Sequence, residues 1–216
     1  MKISASILSA DYLNLGRDIN KVKEAGCELL HLDMMDGHFV PNIAVGLCTV
    51  EALKGKTQLR KDAHLMVSNP EILIQPTAIA GADSITIHAE STPHHMRLIR
   101  DIKRRGKLAG IALTPETPVE SIRCALEEVD IVLQVSVCVG FGGQKIIEHV
   151  YSKLGELKEL KLRYGLSYEI HVDGGINEHT YRKALESGAE VIVAGSFLFG
   201  ADDMKKTVDT IKAVTL

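Results

Sequence analysis

The sequence predicts an α/β fold, a single closed (β/α)8 barrel of eight parallel strands ringed by helices, and three observations carry that prediction. A glycine-led pattern recurs, its spacing divides the chain into eight units, and polar residues gather where such a barrel ends its strands. The pattern reads Ala25-Gly26-Cys27-Glu28-Leu29-Leu30-His31, Ala80-Gly81-Ala82-Asp83-Ser84-Ile85-Thr86-Ile87-His88 and Ser187-Gly188-Ala189-Glu190-Val191-Ile192-Val193. In each copy a glycine suits the left-handed residue that ends a helix, an acidic residue follows, and a short apolar run bounded like an interior strand comes next. Gly26, Gly81 and Gly188 stand 55 and 107 positions apart. These spacings are close to two and four copies of a unit of about 27 residues, which holds one strand, one helix and two short loops. Eight such units account for the 216 residues, so one domain over 1–216 is expected. A doubly wound sheet uses the same units, but length and the count of eight favour the barrel.

Taken in order, the expected strands fall near 3–8, 29–33, 61–66, 84–88, 107–112, 130–136, 169–173 and 191–194, each a short, largely apolar run. Helices are expected over 14–25, 97–105, 145–163, 178–187 and 202–213, where apolar residues recur at helical spacing between charged ones, and the other gaps are read as helical connections. Asp36-Gly37, Asn69-Pro70 and Thr117-Pro118 fall at turns, and no linker or low-complexity stretch interrupts the series.

Composition narrows the function. The chain carries 25 basic and 28 acidic side chains, a net charge of −3, which argues against a nucleic-acid partner, since phosphate backbones need uncompensated Lys and Arg. The densest basic run, Arg97, Arg100, Lys103, Arg104 and Arg105, reads as a solvated helix face near a helix C-terminus. Cys27, Cys48, Cys124 and Cys138 form no C-x-x-C pair, and no secretory leader or bilayer-length apolar run is present, so a cytoplasmic protein without a membrane partner is expected.

In a barrel of this kind the active site is built at the C-terminal ends of the strands. The second strand ends His31-Leu32-Asp33, the third Asp62-Ala63-His64, and the seventh His171-Val172-Asp173. Strand alternation puts His31 and Asp33 on one face with the apolar Leu32 on the other. Ionisable groups on buried strands are costly unless paired or metal-bound. The simplest resolution is a divalent metal held by His31, Asp33, His64 and Asp173, two imidazoles and two carboxylates, a set that suits zinc, iron, manganese or cobalt. His88 and His171 read as inward-facing structural residues, and His38, His94, His95, His149 and His179 have no supporting pattern.

A second constellation is rich in glycine: Gly140-Phe141-Gly142-Gly143 after the sixth strand, Gly174-Gly175 after the seventh, and Gly195-Ser196 after the eighth. Such loops let backbone N–H groups approach an anion, and a phosphate site in the last loops recurs in these barrels. No P-loop lysine accompanies them, which argues against nucleotide hydrolysis. A metal, two carboxylates and a phosphate clamp together suit proton transfer beside the carbonyl of a phosphorylated ketose. The metal acidifies the C–H while Asp33 and Asp173, from separate strands, address opposite faces of one carbon and invert it. Met35 and Met66 are candidates to line the pocket with soft surface.

Five motifs in order then carry a family resemblance: Ser6-Ile7-Leu8-Ser9-Ala10-Asp11, His31-Leu32-Asp33-Met34-Met35-Asp36-Gly37-His38-Phe39-Val40-Pro41-Asn42, His64-Leu65-Met66-Val67, Gly140-Phe141-Gly142-Gly143-Gln144 and Val172-Asp173-Gly174-Gly175-Ile176. Together they resemble the ribulose-phosphate 3-epimerase family along essentially the whole chain. The resemblance implies a metal-dependent TIM barrel of the ribulose-phosphate-binding type that interconverts D-ribulose 5-phosphate and D-xylulose 5-phosphate. It assigns His31, Asp33, His64 and Asp173 to the metal and Asp33 and Asp173 to acid/base work. Ser6 and His64 become substrate contacts, while Gly142, Gly143, Gly174, Gly175, Gly195 and Ser196 match sugar and phosphate loops. It also implies a homo-oligomer, a dimer or hexamer. Ala5 stands where the family usually has proline, His171 where glutamate is frequent, and Val135-Ser136-Val137-Cys138-Val139 departs from the usual methionine- and proline-containing run. These departures leave every ligand and base in place and open the substrate to a related ketose phosphate such as D-allulose 6-phosphate. The decarboxylases that share this architecture use an Asp-x-Lys-x-x-Asp run, and Asp33-Met34-Met35-Asp36 contains no lysine. A metal-dependent sugar-phosphate hydrolase and a non-catalytic binding barrel are the readings from other classes.

Overall fold

In the computed structural model, which describes residues 1–214, eight strands pair side by side in chain order and close on themselves. They are β1 (Lys2–Ser6), β2 (Leu29–Met35), β3 (Arg60–Met66), β4 (Ser84–His88), β5 (Leu108–Leu113), β6 (Ile131–Val135), β7 (Glu169–Asp173) and β8 (Val191–Ala194). Every pairing is parallel, and β8 closes the ring onto β1 through Ile192 beside Ile3. The connecting helices are α1 (Leu15–Ala25), α2 (Leu47–Leu53), α3 (Glu71–Ala80), α4 (His95–Arg104), α5 (Val150–Tyr164), α6 (Tyr181–Glu186), α7 (Ser196–Phe199) and α8 (Met204–Lys212), with a 3-10 stretch over Val119–Ala125 between β5 and β6. Among the described residues no helix is long and apolar enough to cross a membrane.

The recurring pattern has a physical explanation beyond its glycines. Gly26, Gly81 and Gly188 all take positive φ at or just past helix ends, as expected for a residue without a Cβ. The acidic residue two positions later accepts a backbone N–H from the strand next door: Glu28 from Ile3, Asp83 from Lys61, Glu190 from Ile170. Asp130 does the same for Ala109. Each carboxylate also meets a lysine, Lys212, Lys61, Lys161 and Lys103 respectively. Four of the barrel's N-terminal strand entries are thus satisfied by the acid that opens the following strand, so their backbone donors do not lie orphaned.

Alternation along the strands separates two environments. Leu30, Leu32, Ala63, Leu65, Ile85 and Ile87 pack outward into the main apolar core under the helices. Residues one step away point to the axis, where Ala112, Leu133 and Val193 from three different strands meet across the barrel. The axis is otherwise strongly polar. At its lower end Lys2 and Arg60 pair with Glu169. Above them His171 contacts Glu169 at 3.4 Å, and Asp62 accepts hydrogen bonds from Ser84 Oγ at 2.6 Å and His31 Nδ1 at 3.1 Å.

Several boundaries differ from expectation, and three of them shape the loops around the barrel mouth. The strand expected to reach residue 8 ends at Ser6, whose hydroxyl caps a 3-10 turn over Ile7–Ser9. The helix expected from 145 begins at Val150, because 140–149 form a loop in which Ile147 N–H donates to Ser136 carbonyl. The helix expected from 178 begins at Tyr181. The basic run lies on α4 and its end, and its cations pair with Glu71, Glu128, Asp130 and Asp101. The four cysteines are free.

Candidate active site

At the C-terminal mouth of the barrel four side chains from β2, β3 and β7 turn to one point. His31 Nε2 lies 3.3 Å from Asp33 Oδ1, 3.2 Å from His64 Nδ1 and 3.8 Å from Asp173 Oδ2. His64 Nδ1 lies 3.2 Å from Asp33 Oδ1 and 3.9 Å from Asp173 Oδ2. One donor atom from each of the four falls within 4.8 Å of all the others. Register explains the convergence: Asp33 pairs with His64 across β2 and β3, so both share the inward face at one height. Two carboxylates and two imidazole nitrogens crowded together suit a shared cation, and the donor set fits zinc, iron, manganese or cobalt.

The same crowding acts on the chain's own protons. Burial raises the pKa of Asp33, but His31 and His64 outweigh it and hold Asp33 ionised, well below the usual carboxylate range. Ser6 Oγ adds a hydrogen bond to Asp33 Oδ2 at 2.6 Å. Burial and the charge of Asp33 push Asp173 the other way, up to about 7. Burial disfavours a charged His31, yet Asp33, Asp62 and Asp173 overcome this and raise its pKa well above the ordinary value. His64, where burial dominates, falls to about 4. Two neighbouring carboxyls are therefore driven apart in proton affinity, Asp33 downward and Asp173 upward.

Asp33 and Asp173 open onto a cavity of about 280 Å³ whose wall also includes Ser6, Met35, Met66, Gly140, Phe141, Gly142, Gly143, Gly174, Gly175, Gly195 and Ser196. Every site residue expected from the sequence lies on this wall except His31 and His64, which are fully buried behind the carboxylates. Phe141 sits at the rim, about half exposed. Glycine is structurally required at two of these places. Gly175 takes φ +63°, and a Cβ there would lie 2.6 Å from the Ile146 backbone nitrogen. Gly174 takes φ +105°, and a Cβ there would lie 2.5 Å from Val137 Cγ2. Asn42 ties the second-strand loop to the sixth through a 2.8 Å hydrogen bond from Nδ2 to Gly140 carbonyl.

The sequence reading missed several participants. Asp62 holds His31 from behind, and His64 Nε2 lies 2.9 Å from His88 Nε2, whose Nδ1 lies 2.9 Å from Glu90 Oε2. Strand alternation alone marks Asp62 and His88 as inward-facing, but nothing in one sequence says which ring each would meet. Ser9, Ile176 and Asn177 also line the cavity.

The family model described as "Ribulose-phosphate 3 epimerase family" matches residues 2–199. The chain is 44% identical over 213 residues to the ribulose-phosphate 3-epimerase of Bacillus subtilis (strain 168), covering 98% of each protein. It is 43% identical over 213 residues to the chloroplastic ribulose-5-phosphate-3-epimerase of Arabidopsis thaliana, covering 98% of this chain and 76% of that protein. Among solved structures, 3-hexulose-6-phosphate synthase from Salmonella typhimurium superposes with a TM-score of 0.72 at 19% identity, covering 98% of this chain and 96% of that one. Orotidine 5'-phosphate decarboxylase from Pyrococcus horikoshii OT3 does so with a TM-score of 0.68 at 14% identity, covering 97% and 96%. At these identities the two structures speak for the barrel alone.

Proposed function

The chain belongs to the ribulose-phosphate 3-epimerase family and is an isomerase acting on a carbohydrate, and on that premise we propose that it inverts carbon 3 of D-ribulose 5-phosphate to give D-xylulose 5-phosphate. The observation that carries this reading is the divided pair of carboxyls. In the absence of a cation Asp33 is held low and Asp173 is pushed up to about 7, so the two differ widely in proton affinity, and both face one cavity from β2 and β7, with β1 and β8 between them.

Such a pair suits inversion. Asp33 removes the hydrogen from one face of the carbon, and the Asp173 carboxyl delivers its proton to the other; in the reverse direction the roles exchange. Ser6 Oγ occupies Asp33 Oδ2 and so orients the carboxylate. Met35 and Met66, 6% and 3% exposed, wall the site with soft, apolar surface that limits water at the reacting carbon. A divalent cation of the zinc, iron, manganese or cobalt class, held by His31, Asp33, His64 and Asp173, would supply the positive charge that makes the neighbouring C–H more acidic. At the start of α7 the N–H groups of Leu198 and Phe199 donate to Gly195 carbonyl, which leaves those of Ser196 and Phe197, together with the Ser196 hydroxyl on the cavity wall, to meet the substrate phosphate. With the loops at Gly142-Gly143 and Gly174-Gly175 they form the proposed phosphate grip.

Ser196→Ala is expected to raise KM roughly tenfold or more while leaving kcat near its native value, since a phosphate contact binds ground and transition states alike. Steady-state kinetics check this; a large fall in kcat with an unchanged KM contradicts the role. The function itself is tested by incubating ketopentose and ketohexose phosphates with metal-supplemented protein and following them by proton NMR. Ribulose 5-phosphate is expected to convert to xylulose 5-phosphate faster than any hexulose phosphate is epimerised. Preferred epimerisation of D-allulose 6-phosphate moves the substrate assignment, a shift that the small Val135 and Val139 in the wall favour. Release of inorganic phosphate replaces epimerisation with hydrolysis.

A further inference from the structure

We propose that Glu90, acting through His88, fixes the proton of His64 on Nε2 and so turns the Nδ1 lone pair toward the cation site, which makes Glu90 and His88 positioning residues for the reaction. The inference rests on the reading of His64 as a metal ligand. It follows from which atoms have only one hydrogen-bonding role.

The starting point is Glu90, just past β4. Its Oε1 accepts the Thr114 N–H at 2.8 Å, and its Oε2 faces His88 Nδ1 at 2.9 Å. A carboxylate only accepts, so His88 carries its hydrogen on Nδ1 and presents a lone pair at Nε2. That lone pair faces His64 Nε2 at 2.9 Å. His64 must then donate from Nε2, and its remaining nitrogen, Nδ1, is left as a lone pair. Nδ1 is the atom that lies among His31 Nε2, Asp33 Oδ1 and Asp173 Oδ2. A metal ligand needs a deprotonated nitrogen, and the group behind an imidazole decides which nitrogen that is.

The anchoring of Glu90 is itself built. Lys153, 4% exposed, reaches from α5 and donates to the carbonyls of Thr114 at 2.8 Å, Pro115 at 3.2 Å and Thr117 at 2.6 Å. The turn that offers the Thr114 N–H is thereby held in place. His88 has a second tie to the site through its ring, which stacks on His64 with centroids 5.0 Å apart and tilts against Phe39 at 4.8 Å.

The arrangement has a sharp consequence for Glu90→Gln. The amide oxygen must face the Thr114 N–H, so the amide nitrogen faces His88 Nδ1 and donates to it. His88 then carries its hydrogen on Nε2, opposite the hydrogen of His64, and the clash is relieved only by moving the His64 proton to the metal-facing nitrogen. His88→Phe keeps a ring of similar shape in the stack and removes the acceptor altogether.

The experiment is nitrogen-15 NMR of histidine-labelled protein with and without zinc, together with zinc affinity measured by competition with a chromogenic chelator. In the native chain His88 is expected as the Nδ1–H tautomer and zinc-bound His64 as Nε2–H. Glu90→Gln is expected to convert His88 to Nε2–H, and both variants are expected to weaken zinc by about 10- to 100-fold. Finding native His88 as Nε2–H, or zinc affinity in both variants within about threefold of native, overturns the proposal. If zinc leaves the His31 and His64 resonances of the native chain unmoved, the metal reading fails and takes this inference with it. That outcome is separable, because the variant comparison requires native binding first.

Discussion

Asp173→Asn and Asp33→Asn are each expected to lower kcat by about 10³-fold or more at saturating metal, since an amide neither takes nor gives the proton at the reacting carbon. Loss of folding will not account for the Asp173 result. Burial and the Asp33 charge raise the Asp173 pKa to about 7 in the folded protein, against an unfolded value near 3.8. Folding therefore takes up a proton at this site across that window. The stability it confers is complete below the unfolded pKa and is lost as pH rises through the folded one. Asparagine carries no charge to bury, so metal-free Asp173→Asn should melt at or above the native temperature at pH 8. Kinetics and thermal melts on the same preparations check both halves. A variant that turns over within tenfold of native removes its residue from the acid/base pair.

Stripping divalent cations is the second large effect. Dialysis against a strong chelator is expected to reduce turnover to below about one per cent, and zinc, manganese, iron(II) or cobalt(II) is expected to restore it. The reason is the crowding of Asp33, Asp173, His31 and His64 within 4.8 Å, an arrangement of electron-rich atoms that calls for positive charge at its centre. His64→Ala should mimic the chelator, because it removes a fully buried ligand without touching the cavity wall. Activity that survives exhaustive chelation, with no metal found by elemental analysis, contradicts the cation assignment.

The barrel was legible because its strands are buried on both faces or nearly so, which leaves short apolar runs between glycine-ended helices. The role of Glu28, Asp83 and Glu190 was not, since accepting an N–H from a neighbouring strand is a tertiary fact that no local window contains. The start of α5 was misread because Ile146 and Ile147 fit its helical spacing, yet they lie in the loop behind Gly175. The α3 segment is helical, as expected of the gaps between strands, although Pro76 lies inside it and proline removes a helical donor. At the site, the alternation His31-x-Asp33 and the two strand ends that share it were enough to assemble the four converging side chains. The residues behind them were beyond reach. Asp62 meets His31 across 31 positions, and His88 meets His64 across 24, so their pairing depends on strand register around the ring.

The most direct test of two carboxyls working on opposite faces is to run the conversion of D-ribulose 5-phosphate in heavy water and examine carbon 3 of the first product formed. Asp173 lines a cavity and its side chain is 20% exposed, so its hydrogen exchanges with solvent before delivery. D-xylulose 5-phosphate carrying deuterium at carbon 3 from the earliest turnovers is the expected result. Product that retains the original hydrogen at that carbon contradicts proton removal by one group and return by another.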